Sequence, residues 1–316
     1  MLFGYDWNDG GISNQKLALL GLVIEASRNG AEIYLPKIYS KDISERRSEV
    51  VSFQSVFWRE PFEEFASRWD VKIVSEPANP VYADRIERCG WNFFNSGAWN
   101  ISHLRVKGLD PCDITADFFR SLRPKVADSL LFSRIATSVF HAHNIDTVVQ
   151  TRYEEDWRIH SQYTLEPLLG AGEDFCISPE VIMHKVTASF SDKPGMVYVS
   201  CDEKHMPLSK ADTKRIVFER TGITTLWKSD LLTDEEHVDM TPLDASLIDF
   251  ELAKTSERFV GLSRSTFGNL VTFERFSAAY RNRNVDFIYN LSGDQLGRRT
   301  DAGTADDPHI ACGLDK

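Results

Sequence analysis

The sequence predicts an α/β protein in two parts, and three observations carry that reading. Beyond Ile145, short runs rich in Val, Ile and aromatic residues alternate with amphipathic stretches that close on glycine, the pattern of parallel strands joined by crossover helices. Residues 1–40 already show the same loop, helix, strand order. The chain is 316 residues long, which at about 150 residues per domain makes two.

Each element has its own signal. Asn14 to Asn29 sets Leu17, Leu20, Gly21 and Ile24 on one helical face, with Gly30 as the stop, and Ala31 to Ile38 follows as a strand. Lys41 to Glu49 mixes charges and reads as a solvated loop, and the aromatic, charged stretch up to Asn144 continues the α/β pattern less clearly. A strand from Asp146 to Arg152 opens the second part, and Ser178, Pro179 and Glu180 start a helix. Then come a strand at Met196–Cys201, a helix at Ser209–Arg220 stopped by Gly222, and a strand at Ile223–Lys228. A helix at Leu243–Ser256, a strand at Arg258–Leu262 and a helix capped by Ser265 and running to about Tyr280 complete the pattern. After Gly293 little is left to bury, so a mobile tail is expected. The expected divisions are therefore 1–144, 145–292 and a tail at 293–316.

Composition excludes several classes. With 36 Lys and Arg against 47 Asp and Glu, the formal charge is −11, which opposes general affinity for nucleic acid or anionic membrane. Any anionic ligand needs a local site. The longest apolar stretches, such as Leu17 to Ile24, fall far short of the roughly 20 residues of a membrane span, so no transmembrane segment is expected. Met1 to Asp6 does not read as a signal peptide. The five cysteines contain no Cys-x-x-Cys, and His141-Ala142-His143 lacks a third ligand, so no metal is expected. Hydrolase nucleophile elbows, P-loops and dinucleotide glycine motifs are missing too. Asn100 and Asn290 open glycosylation sequons.

Three constellations carry chemistry. Asp9-Gly10-Gly11-Ile12-Ser13-Asn14-Gln15 precedes a helix, where glycines let backbone amides approach an anion; a simple capped turn is the alternative. Gln150-Thr151-Arg152-Tyr153-Glu154-Glu155-Asp156-Trp157 ends a strand, the side of an α/β sheet that faces ligands, and its arginine suits a diphosphate. A surface ion-pair cluster around Arg152 and Arg158 would look the same. In Phe259-Val260-Gly261-Leu262-Ser263-Arg264-Ser265-Thr266-Phe267, a strand breaks into a helix whose hydroxyls and free amides make a phosphate seat or a plain cap.

In this order the three resemble the fucosyltransferase superfamily that includes the GDP-fucose protein O-fucosyltransferases. That family opens with a glycine loop ending in Asn-Gln, carries His-x-Arg followed by Asp-Trp on a strand, and has a late Phe-x-Gly strand leading to a Ser/Thr-Phe turn. Gly11 to Gln15, Arg152 with Asp156-Trp157, and Phe259 to Phe267 match those elements, from about Asp6 to Arg275. The resemblance implies a GT-B fold, two Rossmann-like lobes facing a cleft, with an acceptor-side first lobe and GDP-fucose held mainly by the second. It implies that Arg152 steadies the leaving diphosphate, that Asp156, Ser265, Thr266 and Phe267 contact the donor, and that Asn14 sits in the cleft beside Gly11, Ile12 and Ser13.

Two departures stand out. Gln150 takes the place of the family histidine and cannot carry a proton, and Gly10 and Gly11 replace an arginine or glutamate of the loop. The expected activity is inverting, metal-independent transfer of fucose from GDP-fucose to a protein Ser/Thr or glycan hydroxyl, with Asp9 as the candidate base and no cofactor. A GDP-sugar-binding protein without turnover, or a transferase for another GDP-sugar, is the alternative. A eukaryotic member whose leader has been removed is expected in the ER or Golgi lumen, and otherwise a cytoplasmic location is expected.

Overall fold

The computed structural model describes residues 1–42, 47–76, 85–99, 111–165, 173–277 and 286–299. The first lobe carries β1 (Leu2–Trp7), α1 (Ile12–Asn29), β2 (Glu32–Tyr34), β3 (Ile38–Asp42), β4 (Arg47–Val51), α2 (Phe53–Val56), α3 (Arg59–Arg68), β5 (Ile73–Val74), β6 (Arg85–Cys89), α4 (Trp91–Trp99), α5 (Pro111–Ser121) and α6 (Leu130–Thr137). Its sheet is parallel in the order β5-β2-β1-β6. The strand expected over Ala31–Ile38 is broken in two, because Pro36 offers no amide to a ladder. The charged loop expected over Lys41–Glu49 is instead partly a hairpin, in which Ile38 faces Val51 and Tyr39 faces Val50. Those flanking β-branched and aromatic residues outweigh the charges.

The second lobe carries β7 (Thr147–Gln150), α7 (Glu155–His160), α8 (Pro179–Ser189), β8 (Met196–Ser200), α9 (Lys210–Thr221), β9 (Thr224–Trp227), α10 (Asp234–Asp239), α11 (Pro242–Thr255), β10 (Arg258–Gly261), α12 (Thr266–Ser277), β11 (Asp286–Ile288) and β12 (Gly297–Arg298). The sheet order is β12-β11-β10-β7-β8-β9, parallel throughout except for β12. All four residues of β7 are buried, as expected of a central parallel strand covered on both faces. Gly30 and Gly222 end their helices in the left-handed conformation, as the sequence predicts. Part of the segment expected as a mobile tail belongs to the sheet: Gly297 and Arg298 pair with Ile288 and Phe287, and Arg299 is buried. Residues 300–316 and Ala278 to Tyr280 lie outside the described residues. Among the described residues, no helix is long and apolar enough to cross a membrane.

Helix α1 is central to the packing. It is buried almost all round and crosses α4 backbone to backbone: a Cβ on Gly21 would lie 1.7 Å from the Phe93 carbonyl oxygen, and one on Gly97 would lie 2.0 Å from that of Leu17. Its Lys16 is only 2% exposed, and its ammonium meets Glu274 of α12 at 3.1 Å while lying 3.9 Å above the Phe250 ring of α11. Glu274 also pairs with Lys254 at 3.5 Å. A buried charge of this kind is tolerable only with a counter-charge in place. The ion pair, together with the edge-to-face contact of Phe119 with Phe273, fastens the two lobes.

Two stability outcomes follow. Glu274→Leu leaves Lys16 buried without its counter-ion and is expected to cost about 3–5 kcal/mol in urea unfolding, most of it recovered in the double variant with Lys16→Met. Gly21→Ala drives a methyl into the α4 backbone and is expected to lower stability by about 3 kcal/mol, the upper end of ordinary overpacking, read from the same unfolding curves.

Candidate functional site

The carboxyl end of β7 turns at Thr151 and starts α7 four residues later, so the intervening residues project beyond the sheet edge, where α/β proteins bind ligands. Gln150 is 3% exposed and donates through Nε2 to Ser265 Oγ at 2.9 Å. Since the serine hydroxyl accepts there, its own proton remains for another acceptor. Gly268 makes room for this contact, because a Cβ there would lie 2.9 Å from Gln150 Oε1. That oxygen is buried and accepts no hydrogen bond among the described residues.

Arg152 is held without being used up. Its backbone amide donates to the Tyr289 hydroxyl at 3.2 Å, and its guanidinium lies 4.8 Å above the Trp157 ring. Glu154 Oε2 stands 3.6 Å from Nη1 and Asp156 Oδ2 4.0 Å from Nη2. Among the described residues, the guanidinium donates no hydrogen bond. Burial works against its charge, but Glu154 and Asp156, with Tyr289 and Asp202 behind them, outweigh that, so its pKa rises above the ordinary arginine value. Arg158, grouped with it in sequence, makes a separate surface pair with Glu155 at 2.6 Å. Arg264 also turns away from any phosphate role: both of its bonds go to Glu173 Oε2, at 3.1 and 3.2 Å.

In the first lobe, Gly11 is the N-cap of α1 and contributes no side-chain cap. The first helical bond runs from Gln15 N to the Gly11 carbonyl, so the amides of Ile12, Ser13 and Asn14 have no intrahelical acceptor. Helix α12 repeats this arrangement: Asn269 N bonds the Ser265 carbonyl, leaving the amides of Thr266, Phe267 and Gly268. Gln15 pins the glycine loop by donating to the carbonyls of Gly10 and Tyr39 and accepting from Tyr39 N, at 2.8–3.0 Å. The Ser13 hydroxyl and Asn14 Oδ1 are buried without partners among the described residues. The Ile12 side chain belongs to the core, so only its amide can serve a ligand. Asp9 is exposed and accepts at Oδ1 from Trp91 Nε1 at 2.7 Å.

The structure thus joins Gln150 directly to Ser265 and sets Asp156 beside Arg152. Phe267 meets Phe250 edge to face at 5.4 Å, and Lys16 of α1 covers that same ring, which links the α12 turn to the glycine-loop helix. Two contributors escaped the sequence. Glu154, 1% exposed, sits within a charged run that gave no sign of burial, and it accepts from Asp202 N at 3.0 Å. Tyr289 directly follows β11, far along the chain, and is held by Lys185, whose ammonium bonds the Tyr289 and Leu291 carbonyls at 2.9 and 2.7 Å. The Asn290 sequon is closed, since its buried amide exchanges hydrogen bonds with Ser263, whereas Asn100 lies outside the described residues. Among the described residues, no three His, Cys, Asp or Glu side chains are grouped to hold a metal.

No protein-family model matches the chain. In sequence it is 29% identical over 162 residues to O-fucosyltransferase 23 of Arabidopsis thaliana; the match takes in 47% of this chain and 36% of the plant protein, so the chain spans little more than a third of that relative's length. In structure it is similar to POFUT1 in complex with GDP-fucose, with a TM-score of 0.56 at 14% identity over 92% of this chain and 98% of the other. POFUT1 in complex with GDP gives 0.54 at the same identity and coverage. At this divergence the likeness is one of architecture: the chain has two α/β lobes in a GT-B-like fold.

Proposed function

We propose that the protein is an inverting, metal-independent glycosyltransferase that moves fucose from GDP-fucose to a hydroxyl acceptor. The observation that carries this reading is the Arg152 guanidinium, fixed over Trp157, kept charged, and making no hydrogen bond among the described residues. A preorganised cation of this kind suits charge that develops on a departing diphosphate. The open amides of α1 and α12 add partial positive charge, and the Ser265 and Thr266 hydroxyls supply donors, so the nucleotide charge is met without a divalent ion.

In this reading the acceptor oxygen attacks the anomeric carbon from the face opposite the phosphate. The new glycosidic bond forms as the carbon–phosphate oxygen bond breaks. GDP leaves with the electron pair, held by Arg152, and the acceptor proton passes to Asp9. Asn14, Gly11, Ile12 and Ser13 face the diphosphate from the first lobe, and Gln150, Asp156 and Phe267 complete the donor contacts. The unbonded Oε1 of Gln150, in a position where the family carries histidine, favours a second reading: a GDP-sugar-binding protein with little or no turnover, or a transferase for another GDP-sugar.

Calorimetric titration with GDP, GDP-fucose, GDP-mannose and UDP, in the presence of a chelator, checks the donor site. Selective binding of GDP and GDP-fucose is expected; equal binding of UDP removes the guanine assignment, and GDP binding without donor turnover selects the second reading. Arg152→Ala is expected to lower kcat by about 10²–10³, as loss of a preorganised charge stabiliser does, and a near-normal rate takes Arg152 out of the reaction.

A further inference from the structure

The carboxyl ends of β1 and β6 lie side by side, with Trp7 in register with Cys89. Two indoles stand there. Trp7 lies under the Arg88 guanidinium at 5.6 Å. Trp91, the first residue of α4, is 39% exposed, yet its ring is fixed at two points: Nε1 donates to Asp9 Oδ1 at 2.7 Å, and Phe94 packs edge-on at 5.1 Å. The Cys89 thiol, its pKa raised chiefly by burial, donates to the same oxygen at 3.6 Å.

Trp58 is equally exposed and also donates to a carboxylate, Asp128, at 2.7 Å, but the Lys125 ammonium covers its ring at 5.0 Å. No described cation covers Trp91. What remains is a rigid apolar plate with a carboxylate at its edge, at the sheet end where ligands bind. A pyranose fits both parts: its C–H face lies on an aromatic plane, and its hydroxyls donate to a carboxylate alongside. A Ser or Thr side chain presents one hydroxyl on a short stem and no flat face.

We propose that Trp91 and Asp9 form the acceptor subsite, and that the acceptor is a saccharide, with a pyranose ring on the indole and its reacting hydroxyl on Asp9. Naming the bound sugar the acceptor rests on the transferase reading above; the contact itself does not. The hydroxyl that becomes the glycosidic oxygen gives its proton to Asp9, and Trp91 positions that carboxylate through Nε1.

The test uses full-length protein labelled with ¹⁵N at tryptophan, with the Trp91 indole resonance assigned by its loss in Trp91→Phe. The probes are the methyl pyranosides of glucose, galactose, mannose, xylose and N-acetylglucosamine, and a peptide containing Ser and Thr. At least one pyranoside is expected to move the Trp91 N–H resonance, and the peptide is not. Trp91→Ala is expected to raise the saccharide KM about tenfold, whereas Trp91→Phe keeps the ring and lowers kcat instead, because Asp9 loses the indole N–H that positions it and keeps only the longer contact from Cys89. A resonance moved by the peptide alone, or by no probe, overturns the proposal. GDP that fails to bind while pyranosides still move the resonance overturns the donor assignment and leaves this contact standing.

Discussion

The buried pair of Lys16 and Glu274 is the constraint on which the rest depends. A lysine at 2% exposure on a helix otherwise lined by Leu, Val and Ile has no place to put its charge within its own lobe, and the structure gives it a carboxylate from the other. Helix α1 is thereby fixed between its glycine crossing with α4 on one side and the α11–α12 pair on the other. Its first turn, with three amides lacking intrahelical acceptors, is held as firmly as its middle. The start of α12 belongs to the same packing through Phe250 and Phe267.

Electrostatics within the candidate site are finely opposed. Arg152 is the positive element, but two carboxylates stand within 4.0 Å, and a third, Asp202, is tied through its backbone amide to Glu154. These acids keep the guanidinium charged without forming close hydrogen bonds to it, in contrast to Arg264, whose Nε and Nη2 both donate to one oxygen of Glu173.

Much of this was legible in the sequence where local chemistry decides the outcome. The helices stopped by Gly30 and Gly222, the buried strand Thr147–Gln150 and the turn at Ser265 follow from glycine conformation, β-branched runs and capping residues. What failed was decided by distant partners. Glu154 and Glu155 are neighbours of identical chemistry, one buried against Asp202 and Arg152, the other in a surface pair with Arg158. The hairpin across residues 38–51 and the return of Gly297–Arg298 to the sheet depend on pairing that no local pattern reveals. Gly21 and Gly97 mark a helix crossing only once both helices are in view.

The shared core has a consequence for how the molecule responds to what it binds. One cluster of buried side chains runs from Phe3 in the first sheet to Phe273 in α12, so the first lobe shares its interior with one face of the second sheet, while the other face of that sheet packs into a separate cluster around Val149, Val199 and Val260. The first lobe cannot open that shared packing without exposing one face of the second sheet, so the stabilities of the two lobes are linked through it. By mass action, a ligand that touched the second lobe alone would therefore also protect the shared interior of the first against denaturant and proteolysis.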